Sequence, residues 1–110
     1  MRNMLEKRRY PRLDVDLPVI LRHGGRLIPA TALNLSCGGM FVKVRGGEFS
    51  ADSPVELIFD LGGGDRDVAM SAKITHLAES KGRAEIGVQF LNLYSLSHKA
   101  VQEYLRKGLN

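Results

Sequence analysis

The chain has 110 residues, which suits a single domain, and its 44% apolar content is enough for one modest hydrophobic core. Its formal net charge of +4 equals the net charge of residues 1–12 alone, so the remaining chain is neutral overall. No apolar run approaches the roughly 18 residues of a membrane span, the N-terminus lacks the apolar core of a signal peptide, and a single cysteine excludes an internal disulfide. These features predict a soluble cytoplasmic domain without a membrane span.

The first predicted element is a flexible basic N-terminal arm, residues 1–12, and residues 13–110 form the predicted domain body. The arm carries five basic side chains against one acidic side chain, and Pro11 stops any helix at Tyr10. A short anion-seeking segment favours a small anionic ligand, because a nucleic-acid-binding barrel more often spreads positive charge over a folded face. A basic arm that lies along a phosphate backbone is the alternative.

Six segments of the body alternate apolar and polar residues, which predicts six short β-strands. Turn residues separate them, with His23-Gly24-Gly25 as a predicted hairpin turn. Pro18 and Pro29 cannot donate to a ladder, so each predicts an edge or a bulge. The predicted strands cover about residues 15–21, 26–35, 39–45, 55–61, 68–76 and 84–90.

After the sixth strand the apolar period changes from two residues to three or four, which predicts a helix over about residues 94–108. Ser95 or Ser97 can cap its start, and Gly108 is predicted to stop it. Six strands and one helix predict an all-β, six-stranded antiparallel barrel with a C-terminal α-helix. The apolar residues at helical spacing are Leu96, Ala100, Val101, Tyr104 and Leu105.

Polar residues stand where the second strand turns into the third. Asn34 and Ser36 are two residues apart, so an extended backbone puts both side chains on one face. Gly39 marks a place where a backbone or a ligand can approach without meeting a Cβ. The alternative is that Asn34 and Ser36 only satisfy their own turn. Cys37 follows Ser36, and because no His or acid is spaced to activate it, we expect it to contribute packing.

The arm holds two arginines four residues apart, Arg8 and Arg12. Together with Asn34, Ser36 and Gly39, they resemble the signature of the PilZ domain family. Arg8 and Arg12 fit its Arg-x-x-x-Arg arm, and Asn34, Ser36 and Gly39 fit its Asp/Asn-x-Ser-x-x-Gly motif. The resemblance implies a PilZ-like barrel of the split-barrel type. It also implies a receptor for the bacterial second messenger cyclic di-guanylate (cyclic di-GMP), with no cofactor.

The resemblance includes Ile86-Gly87-Val88-Gln89-Phe90 and runs from Lys7 to the final helix. Many family members carry aspartate at the position of Asn34, so the amide here implies a weaker acceptor and weaker binding. The ligand-binding residues that the resemblance implies are Arg8, Arg9, Arg12, Asn34, Ser36, Gly38 and Gly39.

Arginine suits such a ligand because its planar fork pairs with guanine O6 and N7 or with phosphate, and it stacks on flat rings. The Asn34 oxygen can accept from guanine N1 and N2 hydrogens, and Ser36 can donate to a phosphate or ribose oxygen. The three histidines, His23, His76 and His98, lack metal-ligand spacing. Since no nucleophile–base set stands out either, we expect neither a metal site nor an enzyme.

The predicted function is a receptor or adaptor that changes conformation on binding cyclic di-GMP and signals to a protein partner, as a monomer or dimer. Motility, exopolysaccharide output, virulence and transcription are the outputs that the family implies. One alternative is a small nucleic-acid-binding barrel, but three Tyr and four Phe without Trp are few for a base-stacking platform, so we expect no nucleic-acid partner. Another alternative is a PilZ-like adaptor that contacts proteins without binding nucleotide.

Overall fold

The computed structural model describes residues 11–46, 49–62 and 67–109. Its elements are β1 (Leu13–His23), β2 (Arg26–Leu35), β3 (Gly39–Arg45), β4 (Pro54–Phe59), β5 (Val68–Ser80), β6 (Arg83–Phe90) and α1 (Leu96–Gly108). The strands pair antiparallel and close into a barrel in the order β1–β2–β3–β6–β5–β4. The predicted six-stranded barrel with a C-terminal helix is confirmed.

The barrel encloses one core because alternate residues of each strand point inward. In β3, Met40, Val42 and Val44 are buried while Phe41 and Lys43 face outward. The helix contacts β5 and adds two residues to the same core. The fully buried side chains of the core include Val19, Leu21, Leu35, Val42, Leu57, Met70, Ile74, Ile86, Phe90 and Val101.

The helix begins at the first of its two predicted caps and ends at Gly108, as predicted. The Ser95 hydroxyl oxygen accepts a hydrogen bond from the His98 backbone N–H at 3.1 Å. Gly108 is the last helical residue but has no left-handed backbone, and Leu109 is the cap, with right-handed backbone. A Cβ on Gly108 would lie 2.5 Å from Leu13 Cδ2, so the glycine lets the last turn of α1 lie against the start of β1.

The two prolines of the first hairpin differ in their surroundings. Pro18 follows a register shift between Asp14 and Leu17 and precedes the four-residue ladder to β4, so the predicted bulge is confirmed. Pro29 does not lie at a bulge, since the irregularity of β2 lies between Ala32 and Asn34, so only the edge alternative applies to it. Pro29 instead lies one residue outside the ladder to β3.

Two strand ends differ from the predicted ones. β5 continues past His76 to Ser80, where it pairs with β6; a bulge between Ile74 and His76 breaks the alternation that the prediction followed. β4 ends at Phe59, and the Asp60 carboxylate then accepts from the Gly62 N–H at 2.8 Å, a turn that the alternation does not reveal. The division into residues 1–12 and 13–110 stays a prediction, because residues 1–10 lie outside the described part.

The one helix of the described residues, α1, has 13 residues and is too short and too polar to cross a bilayer. Nor do the described residues contain a group of three or more His, Cys, Asp or Glu side chains placed to hold a metal ion.

Candidate functional site

An open pocket of about 530 Å³ lies on the outer surface where the β2–β3 turn, β6 and the bulged part of β5 meet. Five of the seven predicted ligand-binding residues line it, whereas Arg8 and Arg9 lie outside the described residues. Both predicted motifs therefore contribute to one pocket, the first through Arg12 and the second through residues such as Asn34. The lining residues are Arg12, Asn34, Ser36, Gly38, Gly39, Met40, Phe41, Thr75, Gly87, Val88, Gln89, Phe90 and Leu93.

Two bulges shape the walls of this pocket. In β2, the extra residue Leu33 makes Ala32 and Leu35 the buried positions and leaves Asn34 on the pocket side. In β5, the bulge leaves both Thr75 and His76 exposed on the outer surface. Bulges commonly re-aim side chains beside functional sites. Neither bulge contains a proline or glycine, so the sequence carried no signal for either of them.

The β2–β3 turn is shaped by the hydroxyl of Ser36. Its Oγ accepts hydrogen bonds from the Gly38 N–H at 3.1 Å and the Gly39 N–H at 3.2 Å, and lies 3.3 Å from the Gly39 carbonyl oxygen. The Ser36 backbone N–H also donates to the Gly39 carbonyl at 2.8 Å. The hydroxyl thus satisfies its own turn, as the structural alternative predicted, and a ligand contact of Ser36 stays a prediction.

The carbonyl groups of the turn are held by other parts of the fold. The Phe90 N–H at the end of β6 donates to the Gly38 carbonyl at 2.8 Å. The Cys37 carbonyl lies 2.8 Å from His98 Nε2 in the first turn of α1. The turn is therefore fixed to both a strand and the helix, and little backbone ordering remains for a ligand to impose.

Gly39 is required by the packing of β3 against β6. A Cβ at this position would lie 1.9 Å from the Val88 carbonyl oxygen, a distance that no real contact allows. The predicted close approach at Gly39 is confirmed, and the group that approaches is the backbone of β6. The further idea that the missing Cβ leaves room for a base receives no support from this geometry, and a ligand contact of Gly39 stays a prediction.

Arg12, Phe41 and His76 form a row of contacts on the outer face of β3, β6 and β5. The Arg12 guanidinium carbon lies 5.2 Å from the centre of the Phe41 ring, which lies 5.4 Å from the His76 ring at 38°. Gly87 lies beneath, and a Cβ there would be 3.0 Å from both His76 Cβ and Phe41 Cε1. The glycine therefore lets the rings lie close to the sheet, and Arg12 is held in the pocket by a cation–π contact.

Cys37 is half-buried and packs against the barrel core, which confirms its predicted packing role. Burial raises the pKa of its thiol above the ordinary value, because the thiolate would lose hydration. A nucleophilic cysteine needs a lowered thiol pKa, so the surroundings of Cys37 do not favour a nucleophile.

Several pocket residues lie outside the predicted set. Phe41 could have been noticed, since an aromatic side chain between the inward residues Met40 and Val42 must face outward. Thr75 enters the pocket through its bulge, and its hydroxyl donates to the Gly87 carbonyl at 3.3 Å. His98, assigned no role from its spacing, contacts the turn from a helix remote in sequence.

Similar folds occur in solved structures. The Bacillus subtilis inhibitor of motility MotI/DgrA is 22% identical with a TM-score of 0.77, and the match covers 94% of this chain and 52% of that one. The PilZ domain of Escherichia coli YcgR with c-di-GMP is 13% identical with a TM-score of 0.77, covering 94% and 92%. The K. pneumonia MrkH–c-di-GMP complex is 17% identical with a TM-score of 0.72, covering 91% and 50%. At these identities the likeness concerns the fold alone, and the chain spans about half the length of MotI/DgrA and MrkH.

Sequence comparison is more specific than the shared fold. A search of curated protein sequences finds no match. The family model of the PilZ domain, however, matches residues 6–107, which is nearly the whole chain. The match includes the barrel, the helix and both motifs that meet at the pocket, and on this evidence the chain belongs to the PilZ domain family.

Proposed function

We propose that this domain is a cyclic di-GMP receptor that binds the nucleotide in the pocket between the β2–β3 turn and β6. The observation that carries the proposal is that Arg12 and Asn34, one from each motif, line the same pocket. Family membership and the c-di-GMP complexes of YcgR and MrkH support the choice of ligand. The domain acts by binding and not by catalysis, and its proposed location is the cytoplasm.

The proposed ligand carries two phosphates and two guanines, and the pocket offers partners for both. The Arg12 guanidinium can pair with phosphate or with guanine O6 and N7, and its flat face can stack on a base. The Asn34 carbonyl oxygen can accept from the guanine N1 and N2 hydrogens. Ser36, Gly38 and Gly39 complete the proposed contacts along the turn.

Arg12 would have to exchange its contact with Phe41 for contacts with the ligand. A cation–π contact at an exposed site is worth about 0.5–1 kcal/mol. A hydrogen bond to a charged group contributes about 1.5–3 kcal/mol. The exchange therefore favours the ligand, and the Phe41 ring serves as the resting position of Arg12 in the free protein.

The arm residues Arg8 and Arg9 are proposed to close over the bound nucleotide, adding further positive charge on the same side as Arg12. An arm that orders on binding loses conformational entropy, so the net affinity falls below the sum of its contacts. The arm and pocket together would then present a new surface to a partner protein, which is the proposed signalling step.

Isothermal titration calorimetry of the purified chain with cyclic di-GMP tests the proposal directly. Cyclic di-AMP is the matched control, because it retains both phosphates and lacks the guanine O6 acceptor and N1 and N2 donors. We expect saturable heat with cyclic di-GMP and much weaker binding of the control. Absence of heat at tens of micromolar ligand, together with intact folding, would refute the receptor function.

A single-stranded oligonucleotide in the same assay tests the nucleic-acid alternative. Binding through a basic arm to a phosphate backbone weakens steeply with salt, because counterions are released. Tight, salt-sensitive oligonucleotide binding without cyclic di-GMP binding would favour that alternative. Analytical ultracentrifugation with and without nucleotide distinguishes a monomer from a dimer.

A further inference from the structure

His98 is the buried polar side chain of the described part of the chain, with 5% of its surface exposed. It lies in the first turn of α1, and both of its ring nitrogens face backbone atoms. Nε2 is 2.8 Å from the carbonyl oxygen of Cys37 in the β2–β3 turn. Nδ1 is 3.4 Å from the backbone N–H of Tyr94 in the β6–α1 connection. The ring therefore joins two segments that are distant in sequence.

These partners define the tautomer of the His98 ring. A backbone N–H can only donate, so Nδ1 must accept from Tyr94, and a carbonyl oxygen can only accept, so Nε2 carries the hydrogen. In this arrangement the ring hydrogen lies on Nε2. A hydrogen on Nδ1 instead would point at the Tyr94 N–H and break that contact.

Both segments held by the ring adjoin the pocket. The Cys37 carbonyl belongs to the turn that carries the Ser36 hydroxyl and Gly38. Tyr94 follows Leu93, which lines the pocket, and its φ of 71° is a left-handed conformation that a bulky residue rarely adopts. Its side chain is 95% exposed. The bond from the Tyr94 N–H to His98 thus helps to keep a strained residue and its exposed ring in place.

The geometry points to His98 as a positioning residue that couples the β2–β3 turn to the β6–α1 connection. The inference rests on the proposed function, since it assigns to nucleotide binding at the turn a response at Tyr94. A planar ring in a packed site cannot follow the Cys37 carbonyl without altering its contact with Tyr94. A small displacement of the turn is therefore transmitted to the exposed tyrosine.

Two substitutions separate the contacts of the ring. His98→Gln keeps an amide donor near the position of Nε2, and so keeps the bond to Cys37. His98→Asn keeps an amide oxygen near the position of Nδ1, and so keeps the bond to Tyr94. Both variants lose the packing of the imidazole ring, so a difference between them reports on the hydrogen bond that each one loses.

We expect the two variants to differ in cyclic di-GMP affinity. His98→Asn should weaken binding by roughly 3- to 10-fold, the value of one lost hydrogen bond, whereas His98→Gln should bind within about threefold of the original chain. Addition of nucleotide should move the Tyr94 amide resonance in the original chain and leave it nearly unmoved in both variants, since each has lost one end of the connection. Affinity losses that are equal in the two variants would reduce His98 to a packing role and overturn the inference.

Ligand-free measurements keep this inference separate from the receptor function. Amide hydrogen exchange at Gly38 and Gly39 should accelerate in His98→Asn more than in His98→Gln, and exchange at Tyr94 should show the reverse order. If the original chain binds no cyclic di-GMP, the receptor function fails, and this pattern still decides whether His98 holds both segments. Should neither variant fold, ¹⁵N chemical shifts of the His98 ring in the original chain decide the matter, and a proton on Nδ1 would overturn the inference.

Discussion

Two Gly-Gly pairs close the hairpins at the two ends of β2, and they use different properties of glycine. Gly24 and Gly25 have φ angles of +58° and +77°, and a Cβ on either would meet nothing within 4 Å. Gly39 needs no left-handed backbone, yet its Cβ would lie 1.9 Å from the Val88 carbonyl oxygen. In the first turn the backbone conformation requires glycine. In the second turn glycine is required at position 39 because the neighbouring strand β6 lies too close for a Cβ.

The surroundings of the two turns show the same contrast. Beside the first turn, the His23 ring lies 5.1 Å from Phe49, which is buried in the core. Near the second turn, the corresponding pair of Phe41 and His76 lies on the outer surface, with Phe41 in the pocket wall. Similar residues thus complete the core at one end of β2 and build a candidate binding site at the other.

The largest expected effect comes from a methyl group added to each turn. Gly39→Ala should lower stability by about 3 kcal/mol or more, because the rigid β6 backbone must move. Gly24→Ala should cost about 1–2 kcal/mol, the price of one left-handed residue with a Cβ. In thermal unfolding, the midpoint of Gly39→Ala should lie more than about 10 °C below that of the original chain. Equal losses in the two variants would remove the proposed distinction.

The next effect concerns the arginine near each turn. Arg12→Ala should weaken cyclic di-GMP binding by on the order of 10- to 150-fold, from the loss of one charge-assisted contact. Arg26→Ala, at the other end of β2, removes the same charge and should leave affinity within about twofold, since a distant exposed charge contributes little. Arg12→Lys should restore little, because the planar fork is missing. Calorimetry and melting curves on the same samples provide the measurement, and unfolding of Arg12→Ala with unchanged affinity would make Arg12 structural.

The stack of Arg12 on Phe41 can be measured without ligand. A double-mutant cycle of Arg12→Ala and Phe41→Leu should give a coupling of about 0.5–1 kcal/mol in the free energy of unfolding. The same cycle with Arg26→Ala in place of Arg12→Ala should give none. Denaturant unfolding is the measurement, and zero coupling in both cycles would mean that Arg12 does not rest on the ring.

The smallest effect is expected at Asn34. Asn34→Asp should strengthen nucleotide binding, because a carboxylate is the stronger acceptor for guanine hydrogens. It should also lower stability by about 0.2–1 kcal/mol, since Asp14 lies directly opposite in the β1–β2 ladder and like charges repel. Adding Asp14→Asn should recover that stability and keep the gain in affinity. Weaker binding by Asn34→Asp would indicate that this side chain faces a phosphate.

The sequence was sufficient for the barrel because apolar alternation directly records which face of a strand is buried. It predicted the ends of β2 and β3 and the turn at Gly24-Gly25. The bulges at Leu33 and Thr75 were missed, because a bulge reflects strand pairing across the sheet and no residue type marks it. The contact of His98 with the β2–β3 turn was missed for a related reason: it is decided by the group that the fold brings opposite the ring.

The contact of Gly108 with Leu13 brings the end of the helix to the residue that follows Arg12. A reporter domain fused at either position would therefore lie close to the pocket. The exposed Gly24–Gly25 turn, at the far end of the barrel, is a suitable place to open new chain ends. A circular permutant in which Leu109 is joined to the arm would carry Arg12 within a closed loop. Reporters attached at the new ends, at Gly24 and Gly25, would then stay clear of the ligand, which provides a route to a genetically encoded sensor.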